Sequence, residues 1–335
     1  MIFGVVYGQA CSMGNPVLED QPICEFISCG GAATEILKFG PKQIHGLDKS
    51  DNISRVLFLV IPGNPGIVNF YRTFMHKLYK ALNQLYPVWA VSHAGHCVPP
   101  PSIEITKESE QEALEDVYGL NGQIAHKIVF IRKYVPKNVK LVLIGHSIGC
   151  YIILKMMKQE PSLRVLRAVL LFPTIERMAQ SPQGKLMTPV LCRLRYVIYV
   201  PVYMLSFLPE SVKTFIVRFV LQGMQNIDEA SLSASVCLFN VNCLANAMYM
   251  ASQEMVQVVD RDSSVIKEQL KKFIFYYGAS DKWCPLQYYE DMKMEFPDGD
   301  IRLCEKGIRH AFVLDASKQM AAMIVDWLCK DLLNL

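Results

Sequence analysis

The chain has 335 residues, 51% of them hydrophobic, and its 34 lysines and arginines against 31 aspartates and glutamates leave a net charge of +3. That balance builds no basic face for nucleic acid, and no nucleic-acid-binding motif is present, so a nucleic-acid partner is not expected. No uninterrupted apolar run reaches the roughly 20 residues of a helical membrane span; the nearest, "YVIYVPVYMLSFLP" from Tyr196, is shorter and carries Pro201.

The eleven cysteines are an odd number without CxxC spacing. Cys150, Cys237 and Cys243 sit in apolar or small-residue runs and read as buried thiols. The opening "MIFGVVYGQACSMGNP" has no basic segment before its brief apolar stretch, so it does not read as a signal peptide. Together these favour a reducing compartment.

Strand-like runs follow in chain order: "ICEFISC" and "TEILKF", then "RVLFLVI" (Arg55–Ile61), "PVWAVS" (Pro87–Ser92), "KLVLI" (Lys140–Ile144), "RAVLLF" (Arg167–Phe172), "FIFYY" (Phe273–Tyr277) and "IRLC" (Ile301–Cys304). The later ones are continuously apolar, as strands covered on both faces must be. Between them, Phe70, Phe74, Leu78, Leu82 and Leu85, and again Ile124, Ile128, Ile131 and Val135, recur at helical spacing. The expectation is an α/β protein with a mostly parallel twisted sheet and helices on both faces. Between Phe172 and Phe273 about a hundred residues pass without a clear strand, a length that suggests a lid or cap.

At "LVLIGHSIGCYIILKMM" (Leu141–Met157) a strand enters Gly145-His146-Ser147-Ile148-Gly149 and a helix leaves it. A serine hydroxyl is a weak nucleophile and must be held exposed beside a base. A sharp strand-to-helix turn does this, and glycines two residues either side of the serine remove the crowding. The helix begins at the serine, so the N–H of Ile148 and the helix's positive end face any developing oxyanion. A second donor is expected from "IPGNPG" (Ile61–Gly66), where the prolines have no N–H and Asn64 does.

The base and its orienting acid follow from position. His310 lies in "KGIRHAF" after the last strand and Asp281 in "FIFYYGASD" after the preceding one. The order Ser147, Asp281, His310 is that of an elbow-type hydrolase, in which His310 takes the serine proton and Asp281 fixes the imidazole. His146 points away from the serine, and His76 and His126 read as helix residues facing solvent or packing. His93 and His96 in "SHAGHC" lack a convincing third ligand for a metal and read as a polar loop bordering the site. No metal or organic cofactor is expected.

"IPGNPG", "FPTIERM", "GHSIG", "YYG..D.WCP" and "DIRLCEK..RHAF", with "YGLNGQI..K" and "HAGH", closely resemble the lipid droplet-associated hydrolases, a branch of the α/β-hydrolase fold. The similarity runs from about Glu25 to the C-terminus. It implies a nucleophile at Ser147, an acid at Asp281, a histidine at His310, residence on lipid droplets and the cytosolic face of the endoplasmic reticulum, and a weak sterol-ester hydrolase activity. The expected division is a core of residues 25–173 and 261–335, a helical cap of 174–260, and a segment 1–24 of no assigned role.

From Arg177 to Gln225 there are six basic residues and one acid, Glu210. Val212, Phe215, Ile216, Phe219 and Val220 form one helix face, which Val217 and Leu221 widen; Tyr196 to Leu208 is a second apolar segment, ended by Pro209. Edged by Arg193, Arg195, Lys213 and Arg218, the pair fits a hairpin lying in a lipid surface, or a cap burying the same faces against the site. The reading is therefore a serine hydrolase of hydrophobic lipid esters. A lipid droplet coat or tether with a vestigial site, or an enzyme for thioesters or phospholipids, are the alternatives. Dehalogenation and epoxide opening on this fold use an aspartate where Ser147 stands.

Overall fold

The computed structural model describes residues 21–41, 56–103, 105, 113–221 and 228–334. Eight strands form one sheet: β1 (Ile23–Cys29), β2 (Ala32–Phe39), β3 (Val56–Ile61), β4 (Val88–Val91), β5 (Lys140–His146), β6 (Val165–Leu171), β7 (Phe273–Gly278) and β8 (Asp300–Cys304). Their order is β1-β2-β4-β3-β5-β6-β7-β8, with β1 and β2 antiparallel and β4 to β8 parallel. Each expected strand run lies on one of these, Arg55 alone falling outside the described residues. Every residue of β3, β4 and β7 is buried, because helices cover both faces.

The helices are α1 (Arg72–Ala81), α2 (Leu120–Tyr134), α3 (Ile148–Gln159), α4 (Pro182–Pro189), α5 (Arg195–Ser206), α6 (Glu210–Leu221), α7 (Glu229–Cys237), α8 (Val241–Gln257), α9 (Ser263–Glu268), α10 (Leu286–Glu295) and α11 (Ser317–Leu333). The connection from β3 to β4 runs one way along the sheet and that from β4 to β5 runs the other way, past β3. Right-handed crossovers therefore put α1 on one face and α2 on the opposite one. Packing agrees: α1 lies against α11, and α2 against α3, which also meets α9. The direction change leaves a crevice between the carboxyl ends of β3 and β5, where open α/β sheets bind ligands.

Two expectations need correction. Leu85 is half exposed, not part of the α1 face, because the helix ends at Ala81 and Asn83 and Gln84 turn the chain at φ 53° and 61°. The boundary expected at residue 25 falls inside β1, which begins at Ile23. Between β6 and β7 no strand occurs among the described residues, and α4 to α9 fill that interval.

Candidate active site

Ser147 follows β5 directly and caps α3 with φ 54° and ψ −122°, a conformation a non-glycine residue holds only when its surroundings impose it. They do so here. Its N–H donates to Leu171 O at 3.0 Å, and its carbonyl accepts from Cys150 N–H at 3.0 Å. A Cβ on Gly149 would sit 2.2 Å from Ile61 O, and one on Gly145 2.8 Å from Ile153 Cδ1 and 3.0 Å from Cys150 Cα. The helix can thus start tight against the end of β3. Ile148 N–H, in the first turn of α3, has no acceptor within the helix.

Three side chains from three strand ends meet. His310 Nε2 lies 2.9 Å from Ser147 Oγ, and His310 Nδ1 lies 2.6 Å from Asp281 Oδ2. Asp281 also accepts from Trp283 N–H at 2.8 Å, Cys284 N–H at 3.3 Å and the Cys284 thiol at 3.0 Å. Burial alone would raise its pKa, but the hydrogen bond and charge of His310, together with the Cys284 thiol and the Trp283 amide, hold the carboxyl below its ordinary value. A carboxylate accepts only, so His310 Nδ1 carries the proton and Nε2 is left to accept from the serine hydroxyl.

Asn64 follows Gly63 in the turn after β3. A Cβ on Gly63 would lie 3.0 Å from Ser147 Cβ, which places this loop hard against the serine. The Gly63 N–H is engaged by the Tyr71 hydroxyl at 2.7 Å, whereas among the described residues the Asn64 N–H has no acceptor. The Asn64 side chain is held from outside, donating to Ala247 O at 2.9 Å and Glu254 Oε1 at 2.8 Å, both on α8. Glu254 was not legible as a site neighbour. Its burial, offset only in part by the Asn64 bond, pushes its pKa up to about 7.

Of the other described histidines, His93 and His96 neighbour this loop and His126 and His146 are buried, while His76 is half-buried and stacks on Phe39. His96 Nδ1 donates to Pro65 O at 2.5 Å, and His93 N–H to Gly66 O at 3.1 Å, so "SHAGH" braces the turn from behind. His126 is fully buried rather than solvent-facing, 2.8 Å from Thr34 Oγ1 and 2.9 Å from Lys127 Nζ. His146 is buried too, and its partners are Tyr71 and the His310 backbone. Among the described residues one trio could bring metal-ligand atoms together, Asp281, Cys284 and His310, within 4.8 Å of one another. Its 2.6 Å Asp281–His310 contact is a hydrogen bond, closer than the roughly 3 Å or more that separates two ligands of one zinc. Of the cysteines read as buried, Cys150 and Cys243 are; Cys237 is half-buried.

Helices α5 and α6 occupy the stretch read as an apolar hairpin, joined by a short turn, with α5 packed on α8 and α6 on α7. No residue of α5 is fully buried, and Tyr196, Val197, Val200, Met204 and Phe207 are exposed along it. On α6, Phe215 is 68% and Phe219 62% exposed, with Val212 and Val220 exposed beside them. Val217 is a correction: it faces inward and is buried, with Ile216 half-buried beside it, and the two line an apolar groove of about 380 Å³ with Ile198, Val202, Leu238 and Leu244. The Leu221 side chain and Gln225 lie outside the described residues. Two basic residues are turned to the protein, Arg195 to Ser252 at 2.6 Å and Lys213 to the Ser206 carbonyl at the end of α5 at 2.6 Å, while Arg218 pairs with Glu229. Among the described residues no single helix is long and apolar enough to cross a membrane; α7 and α8 would be so together, but they meet at 87°.

A parallel sheet with a glycine-flanked serine at the strand-to-helix turn, and with Asp281 and His310 on the following strand ends, defines the α/β-hydrolase fold. Solved structures agree. An epoxide hydrolase from Vigna radiata superposes with a TM-score of 0.58 over 93% of this chain and 99% of its own at 13% identity. Carboxylesterase structures from Nitrososphaera gargenis give 0.58 over 93% and 100%, also at 13%. Such identities speak for the fold alone. The family model for lipid-droplet associated hydrolase matches residues 54–313, and the chain belongs to that family. It is 64% identical to the lipid droplet-associated hydrolase of Gallus gallus over 93% of this chain and 96% of that one. With the Homo sapiens protein of that name it shares 49% over 96% and 99%, and with that of Drosophila melanogaster 36% over 81% and 88%.

Proposed function

We propose that this protein is a serine hydrolase of hydrophobic lipid esters, sterol esters foremost, working at the surface of lipid droplets and on the cytosolic face of the endoplasmic reticulum. The observation that carries the reading is the hydrogen-bonded line from Ser147 Oγ through His310 to Asp281. Ser147 Oγ attacks the acyl carbonyl while His310 Nε2 accepts its proton, and Asp281 holds the imidazole by Nδ1–H and stabilises the imidazolium. The N–H groups of Ile148 and Asn64 receive the negative charge that develops on the carbonyl oxygen. The imidazolium then protonates the departing alcohol, and water activated by the same histidine releases the acid from Ser147.

The name shared by the relatives and the exposed apolar hairpin support a lipid surface as the place of work. Residues 174–260 act in this reading as a cap over a core that starts with β1 at Ile23, runs to residue 173 and resumes over 261–335, with Tyr196, Val212, Phe215 and Phe219 entering the lipid and Ile216 facing the groove. The hairpin would equally serve a protein that coats or tethers droplets without turnover. Labelling by a fluorophosphonate probe and hydrolysis of a panel of emulsified esters, compared between wild type and Ser147→Ala, separates the two. Loss of both in the variant is expected. Undiminished labelling and turnover in the variant would refute the assignment of Ser147, and a wild type that is neither labelled nor active would leave the coat.

A further inference from the structure

His146 and Tyr71 take no direct part in the reaction above, yet they connect its two halves. The Gly63 N–H donates to the Tyr71 oxygen at 2.7 Å, the Tyr71 hydroxyl lies 2.6 Å from His146 Nδ1, and His146 Nε2 lies 2.8 Å from the His310 carbonyl oxygen. The direction of every bond follows from the last one. A carbonyl oxygen accepts only, so Nε2 carries the proton and Nδ1 is the acceptor. Tyr71 must then donate to Nδ1, and its oxygen is left to accept from Gly63. Tyr71 and His146 are 4% and 7% exposed, so water offers these groups little alternative. Burial drives the His146 pKa down to about 3, which keeps the ring neutral.

We infer that Tyr71 and His146 are positioning residues, a two-membered link that sets the distance between the oxyanion-binding loop and the segment carrying the His310 imidazole. The inference rests on the proposed roles of Ser147, His310 and Asp281 and deepens them. At one end, Tyr71 holds the Gly63 N–H, so that the next N–H along the turn, that of Asn64, remains for the oxyanion. At the other end, His146 fixes the main chain of His310, whose side chain reaches Ser147. The link runs through tight space: a Cβ on Gly63 would stand 3.1 Å from His146 O and 3.2 Å from His146 Nδ1. The ring is also clamped edge-on by Phe312, with centroids 5.0 Å apart, and by Phe172 at 6.3 Å.

The test uses the full chain, p-nitrophenyl butyrate as a probe ester and a fluorophosphonate label. Tyr71→Phe keeps the ring and removes the link. It should lower kcat and the labelling rate in parallel, about tenfold to a hundredfold, as a misplaced site does. KM should stay within about threefold, and the melting transition, lowered by the orphaned Gly63 N–H and His146 Nδ1, should stay well above the assay temperature. His146→Gln, whose amide nitrogen can still reach the His310 carbonyl, should retain more kcat than His146→Ala. In the wild type, imidazole ¹⁵N shifts should show His146 protonated at Nε2 only, without titration between about pH 5 and about pH 9.

Wild-type kcat in Tyr71→Phe, kcat losses that merely track the unfolded fraction, or a His146 ring protonated at Nδ1 would each overturn the inference. A labelled wild type beside an unaffected Tyr71→Phe would sink this inference alone. A wild type that is neither labelled nor faster than Ser147→Ala would sink the serine-hydrolase reading beneath it as well.

Discussion

Asn64 Nδ2 donates to Glu254 Oε1 at 2.8 Å across 190 residues of sequence, tying the turn beside Ser147 to helix α8. Glu254 is 1% exposed, and its pKa, ordinarily 4.5, is pushed up to about 7 by burial. A carboxyl whose folded pKa lies above its unfolded one favours the folded state most at low pH and loses that contribution as pH rises through the folded value. Glu254→Gln removes the ionisation while keeping an oxygen for Asn64. The variant should therefore gain stability over wild type progressively between about pH 4.5 and pH 7, reaching about 3 kcal/mol above that window. Denaturant unfolding across pH reads this; a difference that does not grow with pH would count against it.

Asp281 receives four donors, and only one of them is His310. Asp281→Asn should leave the turn folded through the Trp283 and Cys284 amides, yet it puts a donor or a weaker acceptor opposite His310 Nδ1. The imidazole then favours the wrong tautomer, and kcat should fall about 10³- to 10⁴-fold. Steady-state kinetics with an unchanged melting transition would bear this out.

Gly149 packs α3 against the end of β3 through backbone atoms that cannot rotate away, Ile61 O at 2.2 Å and Pro62 O at 2.7 Å from a built Cβ. Gly149→Ala should cost about 1–3 kcal/mol of stability as overpacking. It should also reduce labelling of the folded fraction, because the serine and the Asn64 loop are pushed apart. Urea unfolding and fluorophosphonate labelling measure the two effects separately.

Phe215 and Phe219 lie mostly in solvent on α6. Replacing both by glutamate should change folding stability by no more than about 0.5 kcal/mol each. Partition onto phospholipid-coated triacylglycerol droplets should nevertheless fall at least tenfold, since each ring forfeits roughly 1.5–3 kcal/mol of burial in lipid. Flotation of variant and wild-type protein decides it. Turnover of a water-soluble ester should be retained, because neither ring touches Ser147, Asp281 or His310.

The sheet was readable because inner parallel strands are apolar throughout, as in "VLFLVI" and "FIFYYG", and such runs between turn residues are too short for a buried helix. Ser147, Asp281 and His310 could be placed because each lies in the connection that leaves the carboxyl end of a strand, so that chain position alone brought them to one end of the sheet. Leu85 misled because spacing continues past a helix end that the backbone at Asn83 and Gln84 enforces. The partners of His146 were hidden for another reason: Tyr71 is 75 residues away, and its hydroxyl reaches the ring only once the turn ahead of α1 packs against β2 and β4. Val217 and Val220 are equally hydrophobic in sequence, and only the packing of α6 against its neighbours decided which one faces in.

Because α8 grips Asn64 through Ala247 and Glu254, distance from Ser147 is a poor guide to which substitutions will impair turnover. In the proposed mechanism a change on the buried side of α8 shifts the Asn64 amide that the reacting ester would need, without touching the ester at all. Surveys of natural variation in such chains would misfile these positions as remote, although in that mechanism they act together with the serine.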